Sequence, residues 1–276
     1  MNRWREGRDG SRIRVIETTA GPVETAFFPM EAVDAICVSS QAGCNIGCAF
    51  CVTGLQRSTG NLSPDEIVAQ VADVEEFRRP GKRLEVGFQG MGEPLLNLGG
   101  VLPAADQLLA KYAGVGIRLS TVGLVPLLRR FSGAGRQVKL QISLHAPTQE
   151  LRERLIPATR GTRLRELMDL ASAHGQACGS DSLLNYVLLD GVNDSPAHAE
   201  QLATLVVGRP SVRVKLASFN AHSAIPFRAT PEEKARIFAD RLAEAGVEPR
   251  WFSSRGDDIG AACGQFTVKA GRGVSR

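Results

Sequence analysis

The sequence has no run of about 20 unbroken apolar residues, the length a membrane-spanning helix needs, so no membrane span is expected. Its opening residues, MNRWREGRDGSRIR, are basic and have no apolar segment behind them, unlike a secretory leader. Aromatic residues make up only 5%, with two Trp and two Tyr, too few for a long stacking platform for single strands. There is no internal repeat, no low-complexity tract and no Pro/Gly/Ser linker. Charge of one sign is scarcely in excess: 33 Lys+Arg against 29 Asp+Glu leave +4, which permits an RNA partner without demanding one. What is abundant is apolar material, 43% of 276 residues, and that excludes a disordered chain. One domain spanning 1–276, soluble, cytoplasmic and monomeric, is the expectation.

Short apolar runs alternate with helical patterns, the rhythm of a parallel α/β sheet. Strands are expected at 33–38, 84–88, 116–121, 137–143, 183–189 and 212–217. Helices are expected at 101–112, 125–131, 164–174, 197–207 and 231–245. A further helix starts with Ser63 as N-cap, Pro64 at the first helical position and Glu66 at the third. It is expected to continue to Arg78-Arg79 and to stop at Pro80-Gly81. Six strand–helix units fall short of an eight-fold barrel. The predicted fold is therefore α/β, a partial (β/α)6 TIM-like barrel over 33–276 with function at the C-terminal strand ends. Residues 1–32 are expected to form a short basic extension with a hairpin, 12–18 with 23–28.

Six cysteines are present: Cys37, Cys44, Cys48, Cys51, Cys178 and Cys263. Disulfide frameworks belong to short secreted chains, and in a chain of this kind clustered cysteines are more often ligands or catalysts. Cys44, Cys48 and Cys51 follow the first parallel strand at spacings of four and three, which suits a soft metal or an iron–sulfur cluster. Structural zinc wants four ligands, usually as two separated pairs, and no second pair exists here. Three thiolates can hold three irons of a [4Fe–4S] cluster and leave the fourth iron open. A zinc knuckle borrowing a histidine, or plain buried cysteines, is the alternative from spacing alone. Each later strand also ends in candidate groups. Gly90-Met91-Gly92-Glu93-Pro94 could admit a ligand close to its backbone and offer it an acid. Ser120-Thr121-Val122-Gly123, Ser143-Leu144-His145 and Asn220 would face the barrel mouth. Taken singly, each is as readily an ordinary turn, cap or core residue.

Together these segments resemble known proteins. CxxxCxxC with Phe50 before its last cysteine resembles the radical S-adenosylmethionine (SAM) superfamily. CVSSQ with Cys37, GMGEP, STVG, SLHAP and RGDDIGAACGQ with Cys263 resemble the class A radical SAM RNA methyltransferases, the RlmN/Cfr family, from about Glu24 to Phe266. The resemblance implies that Cys44, Cys48 and Cys51 ligate a [4Fe–4S] cluster. It implies that Gly92, Glu93, Ser120, Ser143, Leu144, His145 and Asn220 bind SAM, of which two molecules are used per turnover. Cys263 would be methylated and carry the one-carbon unit, Cys37 would resolve the adduct through a transient disulfide with Cys263, and Glu24 would accept a proton. Cys178 matches no role.

The implied reaction is methylation of an adenine sp2 carbon in ribosomal or transfer RNA. Carbons 2 and 8 of adenine are electron-poor and cannot attack a sulfonium methyl, whereas a thiolate can. A reductant such as flavodoxin would serve it. Only 23 residues precede Glu24, with Arg3, Arg5, Arg8, Arg12 and Arg14 against Glu6 and Asp9; this arm could contact phosphates or be merely solvated. Arg78, Arg79, Lys82 and Arg83, and Arg160, Arg163 and Arg165, are further basic groups that could extend it. The competing readings are the same two-cysteine chemistry on a non-RNA substrate, and a non-catalytic metal- or RNA-binding protein.

Overall fold

The computed structural model describes residues 4–268, so Arg3 of the basic arm lies outside the described residues. The chain opens with β1 (Arg5–Glu6), β2 (Arg12–Ile16), β3 (Val23–Pro29), β4 (Val33–Val38) and the short pair β5 (Gln41–Ala42) and β6 (Gly60–Asn61). There follow α1 (Pro64–Ala72), β7 (Arg83–Phe88), α2 (Leu98–Lys111), β8 (Gly116–Thr121), α3 (Val125–Gly133) and β9 (Lys139–Ser143). Then come α4 (Gln149–Leu155), α5 (Leu164–Ala177), β10 (Ser182–Leu188), α6 (Pro196–Val206), β11 (Val212–Ser218), α7 (Glu232–Glu244) and β12 (Arg250–Phe252).

All but β5 and β6 join one open sheet, ordered β1-β2-β3-β4-β7-β8-β9-β10-β11-β12. Pairing is antiparallel from β1 to β4 and parallel from β4 to β12. The six expected parallel strands are all present, and β12 adds a seventh. The expected hairpin is β2–β3, fused to the sheet through Phe27↔Ile36 and Ala26↔Cys37. Helix α1 ends at Ala72, short of Arg78. Its expected continuation is a single 3-10 turn, Glu75–Phe77, because Val74 and the Phe77 ring turn inward, the latter onto Trp4 and Phe27. Its N-terminus has the capping box that Ser63 and Glu66 announce.

The two faces of the parallel strands differ, and the difference makes room for a site. On β4, Asp34, Ile36 and Val38 are buried under the helices, whereas Val33, Ala35 and Cys37 face inward and are only half buried. Small inward residues such as Ala35 and Gly87 leave the concave side unfilled. A closed barrel of this kind is packed with side chains. Here the open sheet holds a cavity along its inner face.

A second, smaller core lies at the C-terminal strand ends, where Ile46 and Val52 of the cysteine loop pack with Val122, Leu151, Leu155, Ile156 and Phe219. Helix α4, unforeseen from sequence, supplies Leu151 and Leu155. Its Leu155 carbonyl accepts the Ala49 amide at 2.9 Å and so holds the loop down.

Candidate active site

The C-terminal rim carries an upper chamber walled by Cys44, Cys48, Cys51, Gly92, Glu93, Ser120, Ser143, His145 and Asn220. Nine of the ten residues expected to hold cluster or SAM thus converge. The exception is Leu144, whose side chain is in the core and lines neither cavity; only its amide donates, to the Asn185 carbonyl at 3.1 Å. All three cluster-loop thiols are free. Burial pushes Cys44 up to about 11 and raises Cys48 and Cys51, with the neighbouring thiols adding to the rise. Three thiolates gathered here therefore need a cation among them. Yet no three His, Cys, Asp or Glu side chains among the described residues converge on a single ion position. A zinc ion with S–Zn of about 2.3 Å requires such convergence. A cluster that takes one thiolate per iron spreads its ligands wider, and the donor set fits it.

The opposite wall is shaped for a small zwitterion. Gly92 has φ +98, and a Cβ there would sit 2.7 Å from the Gln41 side chain, so only glycine lets this turn pass. Gln41 in turn accepts the Glu93 amide at 2.9 Å. The Glu93 carboxylate is buried, accepting the Leu95 amide at 3.0 Å and the Val122 amide at 2.9 Å. Burial raises its pKa, and hydrogen bonds from Thr121, Val122 and Leu95 with the nearby Arg152 oppose the rise. It is an acceptor suited to an ammonium. His145, at φ 54, lies edge-on to Phe50 at 4.6 Å between centroids. Its Nδ1 accepts the Val187 amide at 3.0 Å, which leaves the proton on Nε2. Burial, reinforced by Arg152, lowers its pKa to about 3, so the ring is neutral and Nε2–H is a donor.

Below this chamber lies a cavity of about 390 Å³, within the roughly 300–1,000 Å³ of small-molecule sites. It runs down the inner face of the sheet to the strand N-termini, past Cys37, Glu85, Gly87, Arg118, Gln141 and Arg250. This cavity extends beyond the C-terminal strand ends at which function is expected. Gln89, Lys215, Phe252, Ser254 and Cys263 wall both cavities. Cys263 is the exposed thiol at this junction, with Cys37 in the same lower cavity. Burial chiefly raises Cys37, and Cys263 adds to the rise, so the two sulfurs are electrostatic neighbours. Both are free thiols.

The segment bearing Cys263 is bound to the cluster loop at two points and to the loop after β11 at a third. Val52 donates to the Gly264 carbonyl at 2.9 Å, Thr53 Oγ1 to the Phe266 carbonyl at 2.6 Å, and Asn220 Nδ2 to the Cys263 carbonyl at 3.1 Å. Glu24 lines neither cavity. It is 1% exposed, accepting from Arg5 Nη2 and from the Thr267 amide, each at 2.7 Å. Two of the other arm arginines are paired: Arg12 with Glu6 and Arg14 with Asp73. Cys178 caps α5, away from both cavities.

Several site residues escaped the sequence reading. Arg152 of α4 is fully buried, its Nη2 donating to the Val122 and Ser143 carbonyls, while Nε and Nη1 have no partner. Lys215, Gln141 and Asn185 are polar residues inside strands. Parallel strands covered on both faces are ordinarily apolar, and that anomaly was the available signal.

A thiol triad after the first parallel strand, facing a glycine-cradled acid on the rim of an open parallel sheet, defines a radical SAM protein. Residues 38–203 match the Radical SAM superfamily. The chain is 38% identical over 260 residues to a probable dual-specificity RNA methyltransferase RlmN of Parafrankia sp. (strain EAN1pec), covering 88% of this chain and 67% of that one. It is 38% identical over 267 residues to the dual-specificity RNA methyltransferase RlmN of Halorhodospira halophila, covering 95% and 74%. A radical SAM methyltransferase from Sphaerobacter thermophilus superposes with TM-score 0.89 at 37% identity, over 96% of this chain and 80% of that one. The chain belongs to the RlmN family. It spans between 60% and 74% of the length of the curated relatives it matches.

Proposed function

We propose that the protein methylates an sp2 carbon of adenosine in ribosomal or transfer RNA, with Cys263 carrying the methyl carbon. The observation that carries this reading is the position of Cys263 in the common wall of the two cavities, in one cavity with Cys37. Family membership implies a [4Fe–4S] cluster and SAM, and Cys44, Cys48 and Cys51 are the residues that would hold the cluster. Gly92, Glu93, Ser120, Ser143, His145 and Asn220 would hold SAM, Glu93 taking its ammonium and the neutral His145 donating from Nε2.

The Cys263 thiolate attacks the methyl of one SAM and becomes S-methylcysteine, a step open to a soft nucleophile and closed to adenine carbon. The cluster, when bound, would supply the electron that opens a second SAM to methionine and a 5′-deoxyadenosyl radical. The S-methyl group of Cys263 gives up a hydrogen atom, and its carbon adds to the base. The adduct then gives up one proton, for which Glu24 is the proposed acceptor, and one electron, which would return to the cluster oxidised in opening the second SAM. Cys37 attacks the Cys263 sulfur, a disulfide forms, and the departing carbon takes a proton to become the methyl group. Reduction of that disulfide restores the thiols. A flavodoxin-type donor, a monomeric state, a single domain and a cytoplasmic setting complete the proposal. The donor is supported by the chemistry's need for reductant; among the described residues no helix is long and apolar enough to cross a membrane.

The test is anaerobic reconstitution with labelled SAM, reductant and total cellular RNA. Expected are 5′-deoxyadenosine and labelled methyladenosine in RNA, both protein and RNA methylation being lost in Cys263→Ala. RNA methylation by that variant would remove Cys263 from the role, and label that never enters RNA would favour a different substrate.

A further inference from the structure

Five residues wall both cavities, and Lys215 is the only one of them with a charged side chain. It is inward-facing on β11, in register with Asn185 of β10 and Arg250 of β12. Its Nζ sits 3.8 Å from the centre of the Phe252 ring, another junction residue, and this contact fixes the ammonium within the chamber. Its electrostatic neighbours are Cys263 and Arg118, and no carboxylate among the described residues pairs with it. Removing an ammonium from water without an anionic partner is costly, and a lysine placed this way is out of character for a strand that otherwise buries Val212, Val214 and Leu216. The donors of Lys215 are thus held, unspent on any protein carboxylate, beside the thiol at which the one-carbon unit is carried.

We propose that Lys215 donates a hydrogen bond to the purine ring nitrogen next to the carbon being methylated, and so is a substrate-contacting residue of the transfer step. The inference rests on the reading given under Proposed function. When the carbon on Cys263 adds to an amidine-type carbon, electron density moves onto the adjoining ring nitrogen. An ammonium already aimed at that nitrogen stabilises the density as it develops and needs no reorganisation to do so. The same hydrogen bond draws density from the carbon beforehand and makes it a better acceptor. The proton stays on Nζ throughout, so no atom or electron is added to the balance. Burial lowers the proton affinity of Lys215, with Cys263 opposing and Arg118 assisting, which brings donor and purine nitrogen closer in strength.

The experiment compares Lys215→Met, Lys215→Gln and Lys215→Arg with the parent protein, reconstituted with SAM, reductant and RNA. Mass spectrometry reads two quantities from one sample: methyl groups on the Cys263 peptide and methyladenosine in RNA. The ratio of transferred to loaded methyl is the observable, so a change in loading alone does not move it. Lys215→Met is expected to lower the ratio about 100-fold, the loss typical of one preorganised donor at a developing charge. Lys215→Gln, which keeps a donor, is expected to fall between, and Lys215→Arg to stay near the parent. A parental ratio in Lys215→Met and Lys215→Gln overturns the inference. If the parent protein loads Cys263 but never methylates RNA, the broader functional reading fails and this inference falls with it.

Discussion

The upper and lower chambers are built in opposite ways. The upper one is largely local: the cysteine loop follows β5, Gly92-Glu93 follows β7, Ser120 and Ser143 lie at the ends of β8 and β9, and His145 lies just past β9. The lower one is assembled from distant parts, the end of β3, inward-facing strand residues and the segment after β12. The segment after β12 also meets residues from the start of the described chain, as the Arg8 amide donates to Asp258 across 250 positions. The difference teaches that cofactor handling is written into contiguous motifs, whereas the substrate space depends on closure of the whole chain.

Substitutions should respect that division. The largest effect is expected from Cys48→Ala, in the upper chamber. Iron and sulfide analysis after reconstitution should show loss of the cluster, and chromatography should show no 5′-deoxyadenosine with SAM and reductant. Full iron content would break the comparison. In the lower chamber, Cys37→Ala should retain iron yet accumulate a covalent protein–RNA adduct at Cys263, visible as a slowed band on denaturing gels. Free release of methylated RNA from this variant would remove the resolving role.

Arg152 underlies the upper chamber alone, and Arg152→Ala leaves buried carbonyl acceptors of Val122 and Ser143 without their donor. Breaking a buried charged contact of this kind costs about 3–5 kcal/mol, to be read as a lowered midpoint in denaturant. A loss below about 1 kcal/mol would mean that Arg152 is not structural support for the rim.

The smallest effect belongs to Glu66 of α1, which ties the turn after β2 to the helix through the Thr19 amide and hydroxyl. Burial alone would raise Glu66, but hydrogen bonds from Ser63 and Thr19 outweigh it and hold the carboxyl at about 2. Its folded pKa lies below the ordinary value of 4.5, so its contribution is fully present above 4.5 and is lost as pH falls toward 2. Glu66→Gln should therefore narrow the gap in melting temperature between neutral and acid solution. An unchanged gap would show that the tie contributes nothing.

Much of the scaffold was legible because strands 33–38, 116–121 and their parallel neighbours are short apolar runs whose pattern survives burial. The capping box at Ser63 was legible for the same local reason. Helix α4 was not, since seven residues, QELRERL, carry too little periodicity and place a buried Arg152 among charges that look like surface. Strand β12 is three residues with Arg250 and Trp251 exposed, and it exists by pairing with β11. Lys215 and Gln141 read as ordinary strand polarity until the sheet turned them inward. Glu24 was found by resemblance, and its enclosure by Arg5 and Thr267 could be seen only once residues 243 positions apart were brought together.

The most direct test follows one methyl group. Cys263 is loaded with labelled methyl from SAM, the excess is removed, and RNA, unlabelled SAM and reductant are added for a single turnover. The account predicts that the label leaves the Cys263 peptide and appears in the RNA adenine. Label remaining on Cys263 while the RNA gains unlabelled methyl would contradict it.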